Sequence, residues 1–362
     1  MEVGIIGLPV SGKTTLFRTL IGEGGETAQR FGKVEVHRGV VKVPDRRLEI
    51  LSEIFTPKKT TFATIEYIEV GGFEKDAART RGIDSQILQV LKNTDALCMV
   101  IRAFENEYAP HPYGNVDPLR DIQILETEFL LSDLQIVENR IARLEKQVMK
   151  ARDEKGLKEL ELLKRCHRWL ETERPLREMS FTDDEQLMIR GFQFLSAKPV
   201  LLVVNIGETD IRRENEILET FQKYSRRTNM AVVTLCAKIE EEIAQLSPED
   251  AQLFLKELGI QEPALSKMIR ASYELLGLIS FFTVGDEECR AWTIKRGTRA
   301  QKAAGAIHSD MERGFIRAEV VHFEEFMKHR SLARCREKGA LRLEGKDYIV
   351  QDGDILTIRF NV

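Results

Sequence analysis

Apolar and polar positions divide the first hundred residues into short strands and helices. The opening VGIIG predicts a buried strand, and Leu16 and Leu20 follow it at helical spacing. A helix is predicted at about Arg46–Phe55 and another in QILQVLKNTD, whereas FATIEYIEVGG is β-branched and typical of a strand. The nearly continuous apolar run ALCMVIRAF indicates a strand that is buried on both faces. Alternating strands and helices predict an α/β fold with a doubly wound sheet.

The middle of the chain follows a longer, helical period. Apolar residues alternate at spacings of four and three along a heptad seam, which comprises Leu130, Leu134, Val137, Ile141, Leu144 and Val148. Gly156 is predicted to mark a reversal, after which Leu160, Leu163 and Leu170 continue on a second helix. The pattern predicts an inserted antiparallel helical hairpin, and an ordinary amphipathic core helix is the alternative.

Strand patterns return after the predicted hairpin. KPVLLVVN and MAVVTL each predict a further buried strand, so residues 1–116 and 195–277 would form one α/β domain and residues 117–194 its insertion. Residues 278–362 contain the strand patterns LISFFTV and CRAWTIKRG, a helix near residues 299–308, and further strands in LRLEGKDYIVQDGDILTIRFNV. This order predicts a small α+β domain at the carboxyl end.

The stretch GLPVSGKTT, residues 7–15, joins the first strand to the first helix and fits G-x-x-x-x-G-K-[ST]. Glycines let successive backbone N–H groups point at one anion, and the helix start adds its positive end. Lys13 would reach the β- and γ-phosphates, and the Thr14 hydroxyl would bind Mg²⁺. The candidate loop residues are Gly7, Pro9, Val10, Ser11, Gly12, Lys13, Thr14 and Thr15. The strand–loop–helix order argues against a glycine-rich turn that binds nothing.

Composition narrows the class of protein. A chain of 362 residues is too long for one ordinary hydrophobic core, so more than one domain is expected. A composition of 43% hydrophobic and 31% charged residues is typical of a soluble globular protein. Five cysteines without a C-x-x-C pair predict reduced thiols in the cytoplasm, and no apolar run reaches the length of a membrane span. The net charge of −4 excludes a globally basic nucleic-acid binder, although it leaves room for a local patch.

Several segments resemble the YchF/Obg-like ATPase family, namely VDPLRDIQILETE, LSAKPVLLVVN, RAWTIKRGT, GFIRAEV and LEGKDYIVQDGDILTIRFNV. The resemblance covers essentially all 362 residues. It implies an Obg-type P-loop nucleotide domain with a helical-hairpin insertion and a carboxyl-terminal TGS domain of β-grasp fold. It also implies ATP and Mg²⁺ as ligands.

The resemblance places the base-recognition motif on Asn205, Ile206, Gly207 and Glu208. Related GTPases carry Asn-Lys-x-Asp, whose aspartate accepts two N–H bonds from guanine. Glu208 is one methylene longer and Ile206 replaces the lysine, so the guanine contact is weakened and ATP is expected. The second base loop falls on CAK, residues 236–238, where main-chain contacts around Ala237 are expected.

The catalytic region departs from the family pattern. Glu69 stands where the family has aspartate, and it is expected to act with Lys13 in catalysis and with Thr14 at Mg²⁺. The switch threonine falls on Lys33, inside the polar residues 26–39, which are predicted to be irregular and mobile. Phe73 stands where Ras-like enzymes carry a water-orienting glutamine, so slow hydrolysis is expected.

Two classes of function agree with these residues. One is a slow ATPase switch that controls binding to a ribosome or RNA, and the other is a nucleotide-holding adaptor with little turnover; a GTPase is a weaker alternative. The chain is expected to be a monomer without a membrane partner. A basic cluster is predicted to contact RNA, with Trp292 either stacking on a base or packing in the core. The cluster comprises Arg290, Lys295, Arg296, Arg299 and Lys302.

Overall fold

The computed structural model describes residues 1–22, 26–31, 34–71, 83–148 and 154–361. The strands are β1 Glu2–Ile6, β2 Thr27–Phe31, β3 Val34–Lys42, β4 Lys59–Thr61, β5 Thr64–Val70, β6 Ala96–Ala103, β7 Val200–Ile206, β8 Met230–Leu235, β9 Leu278–Thr283, β10 Glu288–Lys295, β11 Phe315–His322, β12 Arg342–Glu344 and β13 Asp354–Phe360. The α-helices are α1 Lys13–Ile21, α2 Arg46–Phe55, α3 Ser85–Lys92, α4 Pro118–Val148, α5 Glu154–Leu170, α6 Asp183–Ile189, α7 Glu214–Thr220, α8 Gln222–Ser225, α9 Ala237–Ala244, α10 Pro248–Leu258, α11 Ala264–Leu275, α12 Ala300–Ile307, α13 Ser309–Arg313, α14 Phe323–His329 and α15 Leu332–Glu337. The chain forms two compact units, one from Met1–Val40 and Glu66–Met268, the other from Val41–Ile65 and the residues from Ile269 onward.

The first unit is built on a sheet in the order β2-β3-β5-β1-β6-β7-β8. Strands β5, β1, β6, β7 and β8 run parallel to one another. The two strands β6 and β7 are buried along almost their whole length, which explains their continuous apolar sequences. The predicted α/β phosphate-loop sheet is therefore confirmed, and the prediction of helix α2 matches its observed bounds.

The described residues between 26 and 39 are more regular than predicted. Strands β2 and β3 pair antiparallel, from Thr27 opposite Arg38 to Phe31 opposite Val34. In β3 the side chains of Val34 and Val36 are buried and the intervening Glu35 is exposed, which is the period of a half-buried strand. The prediction of an irregular segment is wrong because β2 lies at the sheet edge, where a polar strand needs no apolar face. Lys33 lies outside the described residues.

The long helix α4 contributes to two cores in succession. Its first turns pack Ile122, Leu125 and Phe129 into the core of the sheet. Its later turns pack Val137 and Leu144 against α5 in a separate core. Both sequence interpretations therefore apply, since the first half is an amphipathic core helix and the second half is one arm of a hairpin.

Ion pairs along the hairpin establish its direction. Glu138 pairs with His167 near one end and Glu145 pairs with Lys164 nearer the other, so the two helices run antiparallel, as predicted. Gly156 does not mark the reversal, because it is buried inside α5. Glycine there allows close packing within a helix, which local sequence could not distinguish from a turn.

Asp133 anchors α4 where the helix passes from the core of the sheet to the core of the hairpin. This side chain is fully buried, and its carboxylate accepts hydrogen bonds from the backbone N–H groups of Leu195 (2.9 Å) and Ser196 (2.7 Å). Burial raises the pKa of Asp133 to about 6, although the hydrogen bonds oppose the shift. The contact joins the hairpin to the chain segment that returns to β7.

The second unit contains a mixed sheet in the order β12-β11-β13-β9-β10-β4. Helix α12 packs Ala300 and Ala303 against Phe281 and Val320 in its core, which confirms the predicted β-grasp architecture. The sequence analysis missed β11, which pairs with both β12 and β13, and the helices α13 to α15. It also missed that α2 and β4 join this unit, where β4 runs parallel to β10. The three-part division of the chain stays a prediction.

Two expectations from composition concern the cysteines and the membrane. All five cysteines are free and buried, and burial raises the pKa of thiols such as Cys166 to about 11. Thiols in such surroundings are unreactive. In the part of the chain that the structure describes, no helix is long and apolar enough to cross a membrane.

Replacing Asp133 with Ala should destabilise the first unit by about 2–4 kcal/mol, because two buried N–H groups lose their acceptor. The raised pKa means that the contribution of Asp133 to stability is largest at low pH and falls as pH rises from about 4 to about 6. The loss should therefore be larger at pH 5 than at pH 7. Urea unfolding followed by Trp169 fluorescence, with Trp292→Phe in both proteins, measures this. An equal loss at the two pH values would contradict the assignment.

Candidate functional site

The phosphate loop lies at the carboxyl edge of the sheet, between β1 and α1. At Gly7 an added Cβ would lie 2.5 Å from the carbonyl oxygen of Val100 in β6. Gly12 has φ 91°, and an added Cβ there would lie 2.2 Å from Nδ2 of Asn205. Only glycine fits these two positions, so the loop is fixed closely against its neighbours just before Lys13 begins the helix.

The remaining loop residues form the turn itself. Pro9 is half-buried, Val10 adopts a positive φ of 58°, and the N–H of Ser11 bonds to the carbonyl of Leu8 at 3.3 Å. The Ser11 hydroxyl is buried, and no described residue offers it a hydrogen-bond partner. Buried hydroxyls are normally satisfied, so the Ser11 hydroxyl is a candidate contact for a ligand oxygen or a water molecule.

Lys13, Thr14 and Glu69 lie together where β5 ends beside the loop. Glu69 is buried and opposite Ile5 in the strand register. Its carboxylate accepts a hydrogen bond of 2.5 Å from the Thr14 hydroxyl. Burial lowers the pKa of Lys13, and the negative charge of Glu69 opposes that shift. Glu69 is one methylene longer than the aspartate of the family pattern, and its carboxylate contacts the Thr14 hydroxyl directly.

Asn205, at the end of β7, connects the phosphate loop to the start of α9. Its Nδ2 donates to the carbonyl oxygen of Ser11 and its Oδ1 accepts from the N–H of Ala237, both at 3.0 Å. The side chain is buried. Because each polar atom already has a main-chain partner, Asn205 positions the two loops relative to each other.

A cleft of about 580 Å³ opens beside Asn205, a volume typical of small-molecule sites. The predicted residues that line it are Gly12, Thr15, Asn205, Ile206, Glu208 and Ala237. Ile206 is buried and supplies an apolar wall. The carboxylate of Glu208 forms an ion pair with Lys238, a lining residue that the sequence analysis had not singled out.

The cleft has a second wall that sequence reasoning missed, residues 104–108 after β6. Buried Arg102 anchors this segment by donating to the carbonyl oxygens of Phe104 (2.9 Å) and Ala109 (2.7 Å). Its guanidinium lies 4.6 Å from the centre of the Phe104 ring. Tyr108 at the rim is 98% exposed. The sequence contains one signal for this wall. Arg102 lies inside an otherwise apolar strand, and a buried charged side chain requires partners nearby.

The basic cluster predicted around Trp292 is largely occupied by internal contacts. Trp292 is half-buried, stacks with Phe281 and donates from Nε1 to Thr283 Oγ1 at 2.9 Å. The guanidinium of Arg290 lies 3.9 Å from its ring centre. The structure therefore favours the packing interpretation of Trp292 over a free stacking surface.

Comparison with known proteins agrees with this architecture. Residues 2–140 match the family described as 50S ribosome-binding GTPase, and residues 278–361 match the YchF-GTPase carboxyl-terminal family, described as a protein of unknown function. The chain is 42% identical to the Bacillus subtilis "Ribosome-binding ATPase YchF" over the full length of both proteins. This chain belongs to the YchF family. The Escherichia coli O157:H7 relative of the same name is 40% identical over 100% of this chain and 99% of its own.

A solved YchF structure extends the match to the fold. The Schizosaccharomyces pombe YchF GTPase aligns with a TM-score of 0.84 and 29% identity over 99% of this chain and 97% of that chain. The resemblance stated from sequence motifs is thus confirmed. The YchF family places the chain among nucleotide-binding phosphate-loop proteins, while the departing positions Lys33 and Phe73 lie outside the described residues.

Changing Lys13 to Ala should weaken ATP binding by about 10- to 100-fold, the equivalent of a lost charge-assisted hydrogen bond of ~1.5–3 kcal/mol. Changing Thr14 to Ala should instead reduce the dependence of binding on Mg²⁺. Titration with a fluorescent ATP analogue, with and without Mg²⁺, separates the two effects. Wild-type affinity in Lys13→Ala would show that the loop does not hold the phosphates.

Proposed function

We propose that this protein binds ATP with Mg²⁺, hydrolyses it slowly, and associates with the ribosome in the cytoplasm as a monomer. The observation that carries the proposal is the meeting of Lys13, Thr14 and Glu69 at the phosphate loop. The same loop lines, through Gly12 and Thr15, a cleft that also contains Ile206 and an ion-paired Glu208. The curated relatives at 40–42% identity are named ribosome-binding ATPases, which supports the same function here.

The phosphate end of the cleft fits a metal-bound triphosphate. The Thr14 hydroxyl and the Glu69 carboxylate supply the oxygen ligands that Mg²⁺ prefers. Lys13 and the unsatisfied Ser11 hydroxyl would contact phosphate oxygens, as would backbone N–H groups of the loop from Gly7 to Thr15. Bound Mg²⁺ would supply charge neutralisation during phosphoryl transfer.

The base end of the cleft favours adenine over guanine. Guanine recognition requires a free carboxylate that accepts its two N–H donors. Here the Glu208 carboxylate is engaged by Lys238, and Ile206 presents an apolar side chain. Guanine would have to share this carboxylate with Lys238 in a largely exposed pair, whereas adenine has no need of the carboxylate in that role.

ATP should bind more tightly than GTP. The double change Ile206→Lys and Glu208→Asp should shift the ratio of the two affinities towards GTP by about tenfold or more, because it restores the guanine-accepting carboxylate. Competition titrations of both nucleotides against one labelled analogue give this ratio. Lys238→Met in the wild-type background serves as the control for the ion pair alone. Equal or tighter GTP binding by the wild-type protein would overturn the assignment.

Turnover without a partner should lie well below ~1 s⁻¹. Phe73 occupies the position of the water-orienting glutamine in Ras-like enzymes, so that position supplies no group to orient the attacking water. Single-turnover hydrolysis of labelled ATP, with and without ribosomes, measures the rate. Slow but finite turnover favours the ATPase, whereas binding without hydrolysis in both conditions identifies a nucleotide-holding adaptor. Turnover near 1 s⁻¹ in the isolated protein would contradict the expectation.

A further inference from the structure

Tyr108 presents an aromatic ring that packs against almost nothing in the described chain. It is 98% exposed, and it lines the cleft as part of the wall formed by residues 104–108. Tyr113, a few residues later, is 50% exposed and has the Arg120 guanidinium 5.3 Å from its ring centre. Single exposed apolar side chains are common, so the role of Tyr108 depends on its backbone and on the cleft beside it.

The backbone that carries Tyr108 is fixed in place. Its N–H donates to Oδ1 of Asn106 at 3.0 Å, and the N–H of Ala109 donates to the carbonyl oxygen of Asn106 at 3.2 Å, which closes a tight turn. Buried Arg102 holds the chain on both sides of this turn, through the carbonyl oxygens of Phe104 and Ala109. None of these bonds involves the tyrosine ring, so a fixed turn presents a side chain that can rotate.

The wall behind Tyr108 meets the strand that carries the base motif. A Cβ added at Gly207 would lie 3.5 Å from Cβ of Phe104, and the preceding Ile206 is a buried apolar side chain. The guanidinium of Arg102 lies over the Phe104 ring and occupies one of its faces. Tyr108 differs from Phe104 in that both faces of its ring are open to water. The outer part of the cleft therefore carries an aromatic ring whose faces are available to a ligand.

A purine base is the ligand chemistry that suits this ring. Aromatic side chains stack on flat, conjugated ligands, and every nucleic-acid base has two such faces. The phosphate loop lines the same cleft through Gly12 and Thr15. A nucleotide whose phosphates are held by that loop therefore has its base in a cleft that Tyr108 also lines.

We propose that Tyr108 turns over the cleft and stacks on the base of bound ATP, and this inference rests on the ATP binding proposed above. Closure requires rotation about the side-chain torsions alone, so the turn held by Arg102 stays in place. Stacking does not read the hydrogen-bonding groups of a base. Tyr108 thus adds affinity for either purine, and the choice between adenine and guanine stays with Ile206 and Glu208.

A protein partner is the other class of ligand that contacts exposed tyrosines, and the surroundings of Tyr108 disfavour it. The cores of protein interfaces are contiguous patches that are depleted in charged residues. The three residues before Tyr108, namely Glu105, Asn106 and Glu107, are all exposed and polar. One isolated ring among carboxylates is a poor interface core, whereas a base needs only one ring.

The first test compares Tyr108→Ala and Tyr108→Phe with Tyr113→Ala as the matched control, because the Tyr113 ring is not among the described groups that line the cleft. Calorimetric titration measures the affinity of each protein for ATP, GTP and inorganic tripolyphosphate in the presence of Mg²⁺. Tyr108→Ala should weaken ATP and GTP binding by about tenfold each and leave their ratio unchanged. Binding of tripolyphosphate, which has no base, should not change. Tyr108→Phe keeps the ring and should bind within about threefold of wild type, and Tyr113→Ala should bind as wild type does.

The second test places a fluorescent reporter at the same position. The chain contains two tryptophans, so Tyr108→Trp combined with Trp169→Phe and Trp292→Phe leaves a single indole at the rim of the cleft. ATP should quench its emission and protect it from acrylamide, because the indole passes from water to a stacked base. Tripolyphosphate should do neither. A residue that only supports the fold would give no difference between the two ligands.

The outcomes separate this inference from the proposed function. If wild-type protein binds ATP and Tyr108→Ala binds it equally well, the stacking is wrong and the proposed function stands. Equal losses for ATP and tripolyphosphate would show damage to the turn and would also overturn the stacking. A reporter that responds to ribosomes and not to ATP would assign Tyr108 to a macromolecular partner instead. Wild-type protein that binds neither ATP nor GTP would overturn the proposed function itself.

Discussion

The candidate site depends on one buried amide, Asn205. Its position at the end of β7 lets one side chain bond to the phosphate loop through Ser11 and to the base-side loop through Ala237. A buried amide that kept an unsatisfied atom would cost stability, so both bonds are required together. The same side chain leaves no space for a Cβ at Gly12. Glycine at position 12 and asparagine at position 205, far apart in sequence, are therefore one structural constraint.

The phosphate end is arranged around charges that are only partly compensated. Burial lowers the pKa of Lys13, and the negative charge of Glu69 offsets only part of this shift. A triphosphate would add the negative charge that favours the protonated lysine. Mg²⁺ would compete for the same oxygen atoms that now form the bond between Thr14 and Glu69. Metal binding and rearrangement of this bond are therefore coupled by geometry.

Sequence reasoning succeeded where the signal was local and failed where a distant contact decided the outcome. The apolar runs of β6 and β7 and the phosphate-loop spacing each lie within about ten residues, and all were recognised. Gly156 was misassigned because the local sequence does not distinguish a glycine in the first turn of a helix from one in a turn. Strand β2 was missed because an edge position tolerates polar residues. The wall formed by residues 104–108 and the pairing of Lys238 with Glu208 could not be found, because only the fold brings these residues together.

Buried polar contacts also connect the cleft to the helical hairpin. Arg102 holds the cleft wall at Phe104 and Ala109. A few residues later, His111 and Asp121 form a buried pair at 2.8 Å, and this pair joins the same segment to the first turn of α4. Helix α4 then passes through the sheet core to Asp133 and becomes the hairpin arm. One continuous stretch of chain thus joins the cleft to the hairpin, and buried contacts hold it at Arg102, at the His111–Asp121 pair and at Asp133.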